Sequence, residues 1–241
     1  MWIFIKYLFH AIFYRPLLNG LLFLTSILPF HDLGFAIILL TIIIRLMMFP
    51  LTHKTLRTQH IMKKLEPEIK KIKEGNKSRE EEARATMELY KAHGINPFSG
   101  FLALFIQFPL LIALYQVFWK GLPFSKEDIY KFLPIPTYIN THFLGFIPLD
   151  KGSIGMAALA ALSQYWQARL AMPPKSNTLS QQKSDPAALM QKQMLYMFPV
   201  LIFILGFRLP AAVSLYWTAM NIFAIVHEAI VRKSSQHGSG N

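Results

Sequence analysis

Residues 34–53 read GFAIILLTIIIRLMMFPLTH, a stretch whose body is apolar except at Thr41 and Arg45. At a rise of about 1.5 Å per residue, roughly 20 such residues cross the ~30 Å hydrocarbon core of a bilayer. The stretch therefore reads as a membrane helix that keeps a cation. Arg45 is its twelfth residue, which sets it roughly 12 Å from the far boundary. A charge at that depth costs about 2.5–3.5 kcal/mol on insertion scales, so its presence demands a reason.

Composition extends the reading to the whole chain. Of 241 residues, 53% are hydrophobic and only 16% are charged, against about 25% charged in an average soluble domain. A water-soluble globule could not hide so much apolar surface, which argues against a soluble enzyme and against a disordered or fibrous chain. The chain has no cysteine, so disulfides, thiolate catalysis, Cys-ligated metals and a lipoprotein-type signal are excluded. Its net charge of +12 could suggest nucleic acid, but in a membrane protein the location of basic residues matters more than their sum.

Further spans follow downstream. Residues 98–118 carry no charge, and 152–170 form a weaker, Ala/Gly-rich candidate containing Gln164 and Gln167. The block 190–231 is too long for one span and divides at Gly206–Phe207–Arg208–Leu209–Pro210, where proline suits a turn between antiparallel helices. The expectation is an all-α integral membrane protein with five spans, the first within 31–53 and the other four within 98–231, the fourth of them short. Basic residues orient it. Residues 54–97 hold eleven, the 169–192 loop four and the 232–241 tail two, whereas the opposite side keeps seven. The positive-inside rule then puts the N-terminus outside and the C-terminus in the cytoplasm, which an odd number of spans requires.

Three segments lie outside the spans. Residues 1–30 begin with an aromatic and aliphatic run in which Lys6 and His10 share a helical face, and Arg15–Pro16 interrupts it. An amphipathic helix in the outer interface suits this run better than a cleaved signal peptide, because no small-residue cleavage site follows. Residues 54–97 form a cytoplasmic helical hairpin: Ile61, Leu65, Ile69 and Ile72 make one apolar stripe, Gly75–Asn76 breaks it, and Ser78 with Glu81 is a capping-box signature for a second helix to about Tyr90. This hairpin, net +4, is either a solvated helical pair or the surface that first meets an incoming acidic partner, lipid or ribosome. Residues 121–149, with four prolines, are expected to be irregular.

Three readings of Arg45 compete: a side chain snorkelling to the inner interface, a structural arginine on backbone carbonyls, or a functional arginine in a water-filled cavity. Thr41, one turn earlier, shares its face. Gln107 sits mid-span in 98–118, and Gln164 and Gln167 lie in the next span. Each alone could be interhelical glue; together with an unpaired cation they favour a cavity. Pro50, Pro109 and Pro199 free backbone carbonyls that polar groups or water must satisfy. Tyr216–Trp217, read alone, is ordinary packing. No metalloprotease, P-loop or dinucleotide motif occurs: His227–Glu228 lacks the second histidine of H-E-x-x-H. Enzymatic function is the least supported class, and no cofactor or metal is implied.

Several strings occurring in order resemble one family. IILLTIIIRLMMFPL (37–51), LYKAHGINPFSG (89–100), FIQFPLLIALY (105–115) and FRLPAAVSLYWTAMNIF (207–223) are similar to the YidC/Oxa/Alb membrane protein insertases, with the likeness running from about residue 14 to 231. The resemblance implies five core helices around a hydrophilic groove, open to cytoplasm and lipid and closed outside. On it, Arg45 matches the groove arginine and Thr41 a groove position. Gln167, Tyr216 and Trp217 match groove-lining or substrate-contacting positions. Gln107 matches the Gln-x-Pro motif, where a structural role is equally open. The chain looks like the compact bacterial form without a large periplasmic domain, and its tail is short and barely basic.

The expected function is a membrane protein insertase and chaperone of the bacterial plasma membrane that acts without nucleotide hydrolysis. Its partners would be nascent membrane proteins and the bilayer, with the Sec translocon and ribosome as further candidates and no nucleic-acid role. The alternatives are a channel or transporter for an anionic solute with Arg45 as its selectivity charge, or a structural subunit. No inverted repeat of the transporter kind occurs.

Overall fold

The computed structural model describes residues 2–75, 78–96, 99–120, 125–133, 138–171 and 186–237, of which a few helical stretches, 99–107 among them, are described by backbone alone. The elements are almost all helical and gather into two compact units, Met1–Met47 with Phe108–Glu228, and Met48–Gln107 with Ala229–Asn241.

The first unit opens with α1 (Trp2–Phe9), a π-helical turn (His10–Tyr14) and α2 (Arg15–Ile27), which follow one another without a gap. The expected interruption at Arg15–Pro16 is absent. In the wide turn the Arg15 N–H reaches the His10 carbonyl five residues back. Such a turn makes room for the Pro16 ring, which in a regular helix would clash with the carbonyl four residues earlier. The stretch Ile3–Ile27 is long and apolar enough to cross a membrane. Leu18, Leu21 and Leu22 of α2 are buried, as are Ile37 and Leu40 of α3 (Leu33–Met47), along which α2 packs.

The side chain of Asp32 caps α3, its Oδ1 accepting from the N–H groups of Gly34 (2.7 Å) and Phe35 (3.1 Å). The helix stops at Met47, Met48 is a turn, and α4 (Phe49–Lys64) begins at the next residue. The expected single span through residue 53 is therefore divided. Pro50 is the cause: it fits the first turn of a new helix, but in a continuous one its ring would strike the Leu46 carbonyl. Arg45 thus sits in the last turn of α3 rather than in mid-helix.

After α7 (Ser99–Lys120), which ends in this unit, the chain makes a 3-10 turn (Lys126–Asp128) and a small antiparallel hairpin of β1 (His142–Phe143) and β2 (Ile147–Pro148). Then come α8 (Ile154–Ala171), α9 (Pro186–Arg208) and α10 (Ala211–His237), with Leu209–Pro210 turning the chain between the last two as expected. The hairpin segment joins the starts of two helices. Asn140 exchanges backbone hydrogen bonds with His31 and Leu33 (both 3.0 Å), while the Ala211 and Ala212 N–H groups reach the carbonyls of Lys151 (2.8 Å) and Leu149 (3.1 Å). Helix α8 packs along α9. Gly206 of α9 permits a close approach: a Cβ there would lie 2.7 Å from Ser214 Oγ and 3.2 Å from Ala157 Cβ.

The second unit holds α4, α5 (Glu66–Glu74), α6 (Arg79–Ala92), the start of α7 and the end of α10. The apolar stripe from Ile61 to Ile72 is not one helix, because the chain breaks at Leu65 and α5 restarts with Pro67 in its first turn. Helices α5 and α6 pack against each other. The capping box is complete: Ser78 Oγ accepts from the Glu81 N–H (3.3 Å), and the Glu81 carboxylate accepts from the Ser78 N–H (3.0 Å).

Length and composition qualify two described helices as membrane spans, Ile3–Ile27 and Ala211–Arg232, and a third if the pair Leu33–Met47 and Phe49–Met62 counts as one broken span. The apolar parts of α7 and α9 are shorter, Phe108–Trp119 and Leu195–Arg208. Residues 172–185, most of the expected second cytoplasmic loop, and 238–241 of the tail lie outside the described residues.

Candidate functional site

The polar residues of α8 and α10 meet inside the first unit. The two helices start at the same end, held by the hairpin segment, so Ser163 and Asn221, nine and ten residues along, come level, while the long Trp217 side chain reaches Gln164 from nearer the start of α10. Ten residues into α8, about 15 Å from its start, Gln164 is buried and bridges two neighbours. Its Oε1 accepts from the Trp217 indole N–H at 2.9 Å, and its Nε2 donates to Gln167 Oε1 at 3.1 Å. Beside it, Asn221 Nδ2 donates to Ser163 Oγ (3.0 Å), which in turn donates to the Ala160 carbonyl (2.8 Å). Thr218 and Ser214, on the same helix as Trp217, return their hydroxyls to backbone carbonyls, at Ser214 (2.8 Å) and Gly206 (3.4 Å).

Arg45 approaches α10 one residue away from Trp217. It is half-buried and an electrostatic neighbour of Tyr216, which is itself buried. Its position in the last turn of α3 adds a favourable element, since a helix C-terminus carries unsatisfied carbonyls and partial negative charge. No Asp or Glu occurs in α3, α8 or α9, and α10 has only Glu228, nearer its other end. The electrostatic neighbour of the guanidinium is therefore not a carboxylate but the Tyr216 phenol.

The sequence-derived residues divide accordingly. Trp217 and Gln167 meet at the Gln164 bridge, and Arg45 neighbours Tyr216, the residue before Trp217. Thr41 is buried in α3, but its hydroxyl donates to the Ile37 carbonyl at 2.6 Å, so its hydrogen bond is spent within its own helix. Gln107 is in α7, on the second unit's side of the division, and its side chain lies outside the described residues. Sequence reading passed over Ser163, Ser214, Thr218 and Asn221. Their signal was available: Ser214, Thr218 and Asn221 recur at spacings of four and three on an otherwise apolar helix, as do Ser163 and Gln167. Trp217 also tilts against Phe198 of α9, with ring centroids 6.3 Å apart, so the indole is fixed from two sides.

The arrangement supplies amide and hydroxyl donors and acceptors, one cation and two amphipathic rings. Among the described residues no group of three or more His, Asp or Glu side chains is placed to hold a metal.

The 60Kd inner membrane protein family matches residues 23–238. A protein of Geotalea daltonii named membrane protein insertase YidC is 33% identical over 223 residues, covering 91% of this chain and 37% of its own. Its namesake from Magnetococcus marinus is 30% identical over 224 residues, covering 92% and 36%. The chain thus spans little more than a third of the length of these relatives. An active YidC insertase crystal structure with the first transmembrane domain resolved superposes with a TM-score of 0.58 at 25% identity, over 88% of this chain and 45% of that one. With the family matched along nearly the whole chain, and its relatives and fold in agreement, this multi-pass membrane protein belongs to the 60Kd inner membrane protein family, the YidC/Oxa/Alb family to which its motifs pointed.

Proposed function

We propose that the chain is a membrane protein insertase and chaperone of the bacterial plasma membrane, working through a hydrophilic groove and without nucleotide hydrolysis. The observation that carries this reading is the set of polar contacts Arg45–Tyr216, Trp217–Gln164–Gln167 and Ser163–Asn221 inside a largely apolar bundle. In the proposed arrangement α3, α7, α8, α9 and α10 are the five spans, the groove opens to the cytoplasm, and Thr41 and Gln107 belong to its wall. The N-terminus lies outside, and the α5–α6 hairpin and the C-terminus lie in the cytoplasm.

The helix from Trp2 to Ile27 is apolar enough to span, but its polar contacts favour the outer interface. His10 pairs with Asp128 at 2.9 Å. Asn19 donates to the Asp128 carbonyl (2.8 Å) and accepts from the Tyr130 N–H (2.7 Å), and Arg15 stacks over the Tyr130 ring. These ties hold the middle of the helix to the connection after α7, a charged and irregular segment that suits the membrane boundary.

The mechanism follows from solvation. A substrate's short polar tail must cross about 30 Å of hydrocarbon. Water and hydrogen-bonding side chains in the groove hydrate it for part of that path, and Arg45 attracts an acidic residue within it. The substrate's apolar helix then moves into lipid, where burial of its surface drives the step. The short apolar stretch of α9 would thin the bilayer locally and lower the remaining barrier. Nascent membrane proteins are the substrates; the Sec translocon and ribosome are candidate partners.

Reconstitution tests the proposal. Purified protein in liposomes is expected to insert a single-span substrate with an acidic tail, followed by protease protection. Insertion by wild type and Arg45→Lys but not Arg45→Ala would establish use of positive charge. Equal insertion by all three would leave Arg45 a hydrating or structural role. Folded wild type that inserts nothing but passes an anionic solute would replace the proposal by the transporter.

A further inference from the structure

The tip of the β1–β2 hairpin is built from unusual residues for its geometry. Leu144 (φ 56) and Gly145 (φ 84) both have positive φ, between Phe143 and Phe146, whose backbone carbonyl and N–H close the turn at 3.3 Å. Two-residue turns of this hand favour Asn or Asp at the first position, because a short polar side chain tolerates the left-handed region and bonds locally. Leucine has neither advantage. Phe30, between α2 and α3, repeats the pattern with φ 61 and ψ 6. Strained backbone that persists at bulky residues points to a use for those side chains.

All three apolar side chains nearby face outward. Phe30 is 86% exposed, Phe146 72% and Leu144 52%. No charged residue lies between His142 and Asp150. The loops are held firmly on the start of α3: the His31 imidazole meets the Thr25 carbonyl at 2.9 Å, Asn140 bonds the backbone of residues 31 and 33, and the Phe143 ring covers Gly34 and sits edge-on to Phe35 at 5.3 Å. The tips therefore continue the apolar surface of Phe35 and Ile27, exposed at the adjoining helix ends.

One environment satisfies these features together. Water gives no return for three exposed large apolar side chains on fixed loops. The hydrocarbon core would strand the loops' irregular backbone groups. The boundary between headgroups and acyl chains accepts both, with backbone in the polar zone and side chains below it. We propose that Phe30, Leu144 and Phe146 form an anchor in the outer-leaflet interface that fixes the depth of the start of α3. The occupant is lipid. The inference rests on the membrane-spanning part of the proposed function and not on insertion activity.

The absence of cysteine makes the test direct. Phe30→Cys, Leu144→Cys and Phe146→Cys, each carrying a nitroxide, are reconstituted in vesicles of phosphatidylethanolamine and phosphatidylglycerol. Collision with oxygen and with a water-soluble nickel chelate is then measured, with His142→Cys and Glu80→Cys as exposed controls. The expected oxygen-to-nickel ratio at the three sites is several-fold above both controls. Ratios equal to the controls would place the tips in water and overturn the anchor; shielding from both reagents would mean a second copy of the chain covers them, and would overturn it too. Leu144→Asn relieves the left-handed leucine and so preserves the fold. It is expected to raise nickel access at a Phe146→Cys label several-fold, and no change would remove Leu144 from the anchor. The same vesicles assayed for insertion separate the two readings: immersed tips with no insertion keep the anchor and refute the insertase.

Discussion

Arg45 shows how a residue's meaning depends on where its helix ends. Counted along an unbroken span it is a mid-membrane charge, but Pro50 ends α3 at Met47 and places Arg45 in a last turn, with Tyr216 as its electrostatic neighbour. Gln164 gains the importance that a mid-helix Arg45 would have held. Gln164→Leu deprives both the Trp217 indole and the Gln167 amide of a partner, and is expected to cost about 1–3 kcal/mol in detergent-micelle unfolding. Gln164→Glu, which keeps the acceptor for Trp217, should lose less. Asn19 is similar outside the site. It is buried and serves three backbone groups, those of Arg15, Asp128 and Tyr130. Asn19→Leu strands all three and is expected to lower stability by at least as much, read as a fall in the unfolding midpoint.

At the scale of elements, caps and close contacts decide the boundaries. Ser78→Ala removes one half of the reciprocal capping box and should cost about 0.5–2 kcal/mol of local stability. Faster amide hydrogen exchange in the first turn of α6, with exchange in α8 unchanged, would be the signature. Gly206→Val places branched carbon against Ser214 and Ala157, neither of which has a flexible end to move aside. It is expected to separate α9 from α8 and α10 and to destabilise the protein by about 1–3 kcal/mol, seen as a lower thermal midpoint. Prolines 16, 50 and 67 act in one way despite different outcomes. Each is tolerated at the start of a helical segment, and what precedes it adapts, through a π turn at Pro16 and through helix breaks before Pro50 and Pro67.

For the whole molecule, the arrangement proposed above makes a topological prediction. In intact cells, an impermeant thiol reagent is expected to label Ser125→Cys from outside and to reach Ser78→Cys only after the membrane is opened. The reverse pattern would invert the orientation drawn from the basic residues. The charged helical hairpin belongs to one unit, and the polar contacts of α8 and α10 with the connection after α7 belong to the other.

Much of this protein is determined by local physics that a sequence displays. Hydrophobic runs locate α3, α7, α8 and the pair α9–α10, because the preference of apolar side chains for lipid is a property of each segment. The capping box and the turn at Leu209–Pro210 are equally local, and the motif strings identify the family. Tertiary structure decided which polar residues meet. Gln164 and Trp217 are 53 positions apart, and Ser163 and Asn221 are 58 apart. Their pairing depends on two helices starting from one anchored hairpin, a long-range relation that no local pattern encodes. The same holds for Arg15, Asn19 and Asp128, whose contacts turn an apolar N-terminal helix into one tied to the connection after α7. Composition measures how much each residue prefers lipid; only packing determines which partner satisfies the groups that do not.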